Sequence, residues 1–276
     1  MRARAGTACS SRPVNAPPTG DGAGVTRALP SGYALLSAAS VRAAVRRDLV
    51  PTLGPWLLRA ELEMPPDAEP IASGRGAAYR ALLPGDVRAV VRPYRRGGLV
   101  ARVVRRTYVG RWPRPLRELV LTAEARRRGV AVPEVLAARV EGGVAYRGAL
   151  VTAEVPRARP LLEALRAADP LTRRLLAATA GRAVGAMHEA GVFHADLNLD
   201  NILIEAREGG ATATVIDLDR ARLTSGPLSR QARRRNLRRL ERSVRKLDPR
   251  AAVFGPESLA GFREGYASVT GGRCAS

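Results

Sequence analysis

Residues 194–201 read His-Ala-Asp-Leu-Asn-Leu-Asp-Asn and place His194, Asp196, Asn198, Asp200 and Asn201 within eight positions. The chain has only two histidines, so the concentration is conspicuous. Two further acids, Asp217 and Asp219, close the second of the apolar runs that follow. The order H-x-D-x-x-x-x-N, followed by an Asp at a strand end, has a chemical reading. A carboxylate such as Asp196 can take the proton of an attacking alcohol. An Asn oxygen and a second carboxylate, Asn201 and Asp217, can hold Mg²⁺, a hard cation that takes oxygen ligands and bridges nucleotide phosphates. Asx-rich turns also arise simply because these side chains satisfy local backbone groups. Asn198 can be read that way, as a cap of the loop, and His194 as a brace. Asp219 has two readings, as a member of the site or as an ion-pair partner for an Arg.

These residues need a helix before them and a strand after. Asp169-Pro170 is a helix start, with Asp as N-cap and Pro at the first helical position, and Gly191 is its stop. "NILIEA", a turn at Glu208-Gly209-Gly210 and "ATATVIDLD" then read as a hairpin, and residues 228–268 as helical. Upstream, "IASGRGAAYRALLPGDVRAVVRPY" reads as strands joined by a Gly turn and a Pro-Gly-Asp turn. Residues 114–129 read as a helix ended by Gly129, and a second hairpin segment turns at Gly142-Gly143. Residues 31–64, with apolar clusters around Val41, Leu53 and Trp56, have weak helical character before a break at Pro65, Pro66 and Pro70. Strands lead and helices follow, which makes the fold class α+β in two lobes. The expected division is a disordered tail over 1–30, an N-lobe with its N-terminal extension over 31–153, a C-lobe over 154–268 and a disordered tail over 269–276.

No run of 18 apolar residues is present, and residues 1–24 lack the apolar segment of a secretory signal. Cys9 and Cys274 sit in opposite tails, which argues against a structural disulfide. A cytoplasmic chain is the expectation. The net charge of +21 favours anionic partners, although Lys246 is the only lysine and much of the Arg excess reads as compositional bias. Aromatic residues make up 4% of the chain, too few for a base-stacking nucleic-acid binder, so no nucleic acid is expected. Residues 229–247 carry nine basic residues beside the stripe Leu237, Leu240, Val244 and Leu247. That segment is equally an anionic-lipid surface or an ordinary helix with its stripe in the core.

The motifs together resemble the protein-kinase-like superfamily, and within it the Kdo/WaaP lipopolysaccharide kinases, above all those acting on 3-deoxy-D-manno-octulosonic acid (Kdo). The residues that carry the resemblance are "GRGAAY" at 74–79, "VVRPYRRGGLVAR" at 90–102, "RELVLTAEARRRGVAVPEVLAAR" at 117–139, "HADLNLDNILI" at 194–204, "IDLDRARL" at 216–223 and "RRRNLRRLERSVRKL" at 233–247. The resemblance implies a two-lobed kinase fold that uses ATP and Mg²⁺ to phosphorylate a sugar hydroxyl of a lipid-linked acceptor, a Kdo-lipid A precursor. It also implies work at the cytoplasmic face of the inner membrane, as a peripheral protein on an anionic surface. Asp196 would be the catalytic base, and Asn201 and Asp217 the metal ligands. Gly74 and Gly76 would admit the phosphates, Arg92 would grip them with Glu118 as its partner, and Glu154 and Val155 would form the adenine-facing hinge.

The chain departs from typical protein kinases at three points. Arg92 stands where a Lys is usual, a planar fork in place of a point charge. Ala195 replaces the Arg that commonly reads a phosphorylated loop, and Asp219 replaces a Gly. Gly255-Pro256-Glu257 imitates a kinase motif but lies after the basic segment, and is read as coincidence. Alternatives at this level are an inner-core heptose kinase, another small-molecule or protein kinase, and a non-catalytic basic module binding anionic lipid or nucleic acid.

Overall fold

The computed structural model describes residues 28–71, 78–94, 108–109 and 112–271. It begins with an antiparallel pair, β1 (Tyr33–Ala38) and β2 (Val41–Arg46), and a short helix α1 (Val50–Leu57). The helical character expected around Val41 is therefore corrected: Val41, Ala43, Ala44 and Val45 are buried in a strand covered on both faces, with Arg42 exposed, and only the Leu53–Trp56 cluster is helical. Then come β3 (Glu69–Ile71), β4 (Ala78–Leu83), β5 (Val87–Pro93), β6 (Tyr108–Val109), α2 (Arg114–Arg127), β7 (Val135–Gly142) and β8 (Ala145–Ala153). The strand order among the described residues is β1-β2-β7-β8-β5-β4-β3, with β6 also on β8, and every pair is antiparallel. The first two strands thus extend the edge formed by β7.

The sheet is buried on both faces, which explains the apolar run of β7. One face packs Ala43, Val45, Ala89, Val91 and Val151 on Leu53, Trp56 and Leu57 of α1. The other packs Ala44, Val135, Ala138 and Leu150 on Leu119 and Val120 of α2. Leu29 also packs against this second cluster, so the expected tail over 1–30 ends in a contact with the fold. Helix α2 comes close to the sheet because residue 148 is Gly: a Cβ there would run into Pro115 and the Arg139 carbonyl.

After β8 the chain passes through β9 (Arg159–Pro160), α3 (Leu161–Arg166) and the long α4 (Pro170–Glu189). Asp169 caps α4 by accepting from the Leu171 and Thr172 amides. Next follow β10 (Val192–Phe193), β11 (Ile202–Arg207), β12 (Gly210–Val215), β13 (Arg222–Leu223), α5 (Arg230–Leu247) and α6 (Pro256–Thr270). Helix α6 lies tightly along α4, where Gly181 and Gly265 each face backbone of the opposite helix. The helical expectation for 228–268 is right in kind, but Asp248 breaks it into two helices. Its carboxylate accepts from the amides of Ala252, Val253 and Phe254 and so stabilises a turn instead. Val269 and Thr270, placed in a tail from sequence, belong to α6, and Thr270 is fully buried with its hydroxyl donating to the Tyr266 carbonyl.

Leu240 is buried in the helical core, and Leu237, Val244 and Leu247 pack against it. Of the two readings of 229–247, the apolar stripe follows the core one, with most cations left on the outer faces of α5 and Arg233 buried against Glu189. No helix among the described residues is long and apolar enough to cross a membrane.

Candidate active site

Strand β5, helix α2 and the turn after β12 bring three of the expected residues into direct contact. Arg92 reaches from β5 with Nη2 2.5 Å from both Glu118 oxygens and Nη1 2.6 Å from Asp217 Oδ1. The Tyr94 hydroxyl donates to Glu118 as well, and the guanidinium groups of Arg92 and Arg114 lie 5.2 and 5.3 Å from the centre of its ring. Glu118 is almost wholly buried. Burial pushes its carboxyl up to about 7, against the pull of Arg92 in the other direction. Asp217 is also largely shielded, which would raise it, yet the charge and hydrogen bond of Arg92 hold it below the usual carboxylate range. Its backbone takes the left-handed conformation, with φ of 65°, and turns the side chain toward Arg92.

The octet forms a loop braced from within. Asn198 caps the short turn at 199–201, accepting from the Asp200 and Asn201 amides. Asn198 and Asn201 both donate to the Asp196 carbonyl at 2.9 Å. The Asn201 bond fixes its amide nitrogen and so presents Oδ1 as an oxygen donor. His194 is buried: its Nδ1 accepts from the Asp196 amide and its Nε2 donates to the Ile216 carbonyl. Burial lowers its proton affinity, in keeping with a neutral ring in this role. The Ile216 amide in turn donates to the Asn201 carbonyl. The loop and the segment bearing Asp217 are therefore one hydrogen-bonded unit. The Asp196 carboxylate itself stays exposed at its surface.

Several contacts around the site were not legible from the motifs. Asp219 pairs with Arg114 at the start of α2, with Nε 3.0 Å from Oδ1, and Arg117 donates to the Asp219 carbonyl at 2.9 Å. This resolves its two readings in favour of the ion pair, which ties α2 to the Asp217 turn. Asn236, buried on α5, accepts from the His194 amide and donates to the His194 carbonyl, while Ser243 accepts from the Leu199 amide. The available signal was a lone Asn inside an Arg-rich helical run, a residue type that such a helix does not otherwise favour. Glu154 lies just past β8, its carboxylate on Arg80 at 2.6 Å and its amide on the Arg88 carbonyl, and Val155 follows half-buried. Gly74 and Gly76 lie outside the described residues.

A strand-borne cation held by a buried helix carboxylate, a loop with Asp and Asn five residues apart, and an Asp in the turn after a strand, facing that cation, define a protein-kinase-like phosphotransferase. The profile of the lipopolysaccharide kinase (Kdo/WaaP) family matches residues 71–266. The chain belongs to that family. It is 36% identical over 182 residues to a 3-deoxy-D-manno-octulosonic acid kinase of Vibrio cholerae, covering 63% of this chain and 72% of the relative. It is 38% identical over 178 residues to the same-named protein of Xanthomonas campestris pv. campestris, covering 63% and 68%. Among solved structures, "WaaP in complex with acyl carrier protein" aligns with a TM-score of 0.50 at 19% identity, over 74% of this chain and 79% of that one, a likeness of fold.

Proposed function

We propose that the protein is a Kdo kinase, transferring the γ-phosphoryl group of ATP to a hydroxyl of Kdo carried on a lipid A precursor. The observation that supports this most directly is the convergence of Arg92, Glu118 and Asp217 on one side with the Asp196–Asn201 loop on the other, joined through His194 and Ile216. The relatives named as Kdo kinases supply the acceptor sugar.

In this reading Arg92 grips nucleotide phosphate with its planar fork while Glu118 fixes its direction. The Asp196 carboxylate accepts the proton of the attacking sugar hydroxyl, whose oxygen forms the new bond to phosphorus as the bond to the ADP oxygen breaks. His194, with its proton on Nε2, positions the loop and takes no proton. The Glu154 amide is already bonded, so adenine pairing falls to the backbone at Val155 and its neighbours. The donor set fits Mg²⁺: Asn201 Oδ1 and the Asp217 carboxylate are both oxygen ligands, and this ion commonly takes only one or two from protein, the rest coming from phosphate and water. When bound it would neutralise charge on the phosphates. The exposed arginines of α5 support attachment to the anionic cytoplasmic face of the inner membrane, as a peripheral contact.

Incubation with ATP, Mg²⁺ and Kdo-lipid IVA, followed by mass spectrometry, should show one added phosphate. Asp196→Asn should slow this by about 10²–10⁴-fold with ATP binding retained. Phosphate appearing only on heptosylated acceptors would replace this reading with a heptose kinase.

A further inference from the structure

Helix α5 meets the loop that carries Asp196 along one edge. Asn236 holds His194 on both backbone groups, and Ser243 holds the Leu199 amide. Two turns of helix are thereby fixed against the loop, and Arg239 lies between the two anchors. Its Nε is 4.0 Å from Asp196 Oδ1, too far for a hydrogen bond, and among the described residues its guanidinium makes none. Its side chain is 38% exposed, so it is neither buried as a structural ion nor loose in solvent. The spacing 235, 239, 242, 246 places Arg235, Arg242 and Lys246 on the same helical row. These three are exposed, and none pairs with a carboxylate among the described residues.

Any hydroxyl that reaches Asp196 brings the rest of its ring against Arg239. A guanidinium offers five donors in a fork matched to a carboxylate, and among the described residues its one carboxylate neighbour, Asp196, stands at ion-pair distance without a hydrogen bond. A neutral sugar would leave Arg239 with only its loose pairing to Asp196 and no carboxylate for its fork beside the reacting oxygen. A sugar acid would satisfy it. Resting on the reading of the site as a kinase for such an acceptor, we infer that Arg239 binds the carboxylate of the acceptor sugar and selects for sugar acids, with Arg235, Arg242 and Lys246 supplying the surrounding positive field.

The test compares Kdo-lipid IVA, the same acceptor with its Kdo carboxylate as a methyl ester, and an acceptor stripped of its lipid A phosphates. Each is offered to the full-length wild type, Arg239→Gln and Arg239→Lys. Arg239→Gln should raise the acceptor KM by about 10- to 100-fold, the range of a charged hydrogen bond lost, with the ATP KM and melting temperature unchanged. Arg239→Lys should recover part of the loss. Esterification should cost the wild type a similar factor and add little to the loss in Arg239→Gln. Equal ester penalties in wild type and Arg239→Gln would overturn the inference, as would coupling of Arg239 to the lipid phosphates instead. A wild type that phosphorylates ester and acid equally well overturns it even if the variants fail to fold. Failure of the wild type to phosphorylate Kdo-lipid IVA at all would instead overturn the functional reading itself, and the inference with it.

Discussion

Arg92 holds Glu118 and Asp217 at once, with one terminal nitrogen 2.5 Å from each Glu118 oxygen and the other 2.6 Å from Asp217 Oδ1. A strand, a helix and the turn after a C-lobe strand are thus fastened by one side chain. The arrangement needs Arg: a lysine ammonium has no fork with which to address two carboxylates in fixed directions. The contact with Asp217 also means that phosphate and metal would compete with an existing ion pair.

Removing that side chain leaves Glu118 buried without its counter-charge. Arg92→Ala should lower stability by about 3–5 kcal/mol, the usual consequence of breaking a buried pair from one side. Arg92→Lys should restore part of the stability and less of the ATP use, because charge returns without the bidentate geometry. Denaturant unfolding beside ATP titration reads both. An Arg92→Ala protein of wild-type stability would contradict the pairing.

The pair Arg114–Asp219 should matter to nucleotide use through the elements it joins. Arg114 begins the helix that carries Glu118, and Asp219 lies two residues after Asp217. Asp219→Asn keeps the shape and removes the charge, and should destabilise by about 1.5–3 kcal/mol. It should also raise the ATP KM, because α2 is no longer tied to the turn bearing Asp217. A double-mutant cycle with Arg114→Ala should show coupling of at least about 1 kcal/mol. Additive effects would mean that the contact contributes nothing of its own.

Two buried groups give stability opposite slopes with pH. Glu118 rises from its ordinary 4.5 to about 7, mainly through burial, so the folded chain holds that proton more tightly than the unfolded one. Its contribution is full below 4.5 and is lost as pH rises through about 7. His188 is lowered from 6.5 to about 4, again mainly by burial, and bonds neutral to Tyr266 and Asn236. Its contribution is present above 6.5 and is lost as pH falls toward about 4. In melting curves across pH 4–8, Glu118→Gln should flatten the neutral-side decline and His188→Gln the acid-side one. Identical slopes in wild type and Glu118→Gln would show that Glu118 does not carry that proton.

The sequence was most readable where local chemistry decides structure. Asp169-Pro170 and Gly191 bound α4 because capping and stop signals act within a few residues, and Asn198 caps its loop for the same reason. The Arg92–Glu118 pair was legible only through the resemblance, since the two lie 26 residues apart on different elements. What escaped was long-range or context-dependent. Asp219 had Arg partners in abundance, and no local rule picks Arg114 from 105 residues away. The strands β1 and β2 were obscured because one turn of Ala- and Arg-rich sequence fits helix and strand alike, and only pairing of β2 with β7 decides it. The hydrogen bonds of Asn236 depend on α5 packing against the loop, which spacing alone does not reveal.

The basic helix separates fold from surface most cleanly. Leu240 is 4% exposed within the helical core, so Leu240→Asp buries a charge without a partner. Loss of the leucine and burial of the carboxylate should together cost at least about 3 kcal/mol, seen as a large fall in melting temperature. Arg238, Arg245 and Lys246 lie exposed on other faces of the same helix. Changing all three to Gln should leave the melting temperature within a degree or two. If α5 meets an anionic bilayer, the same triple variant should lose about 1 kcal/mol of attraction per cation, and wild-type flotation with anionic liposomes should fall as salt rises. Flotation equal in wild type and triple variant at low salt would leave these cations as solvated surface, while a stable Leu240→Asp protein would remove α5 from the core.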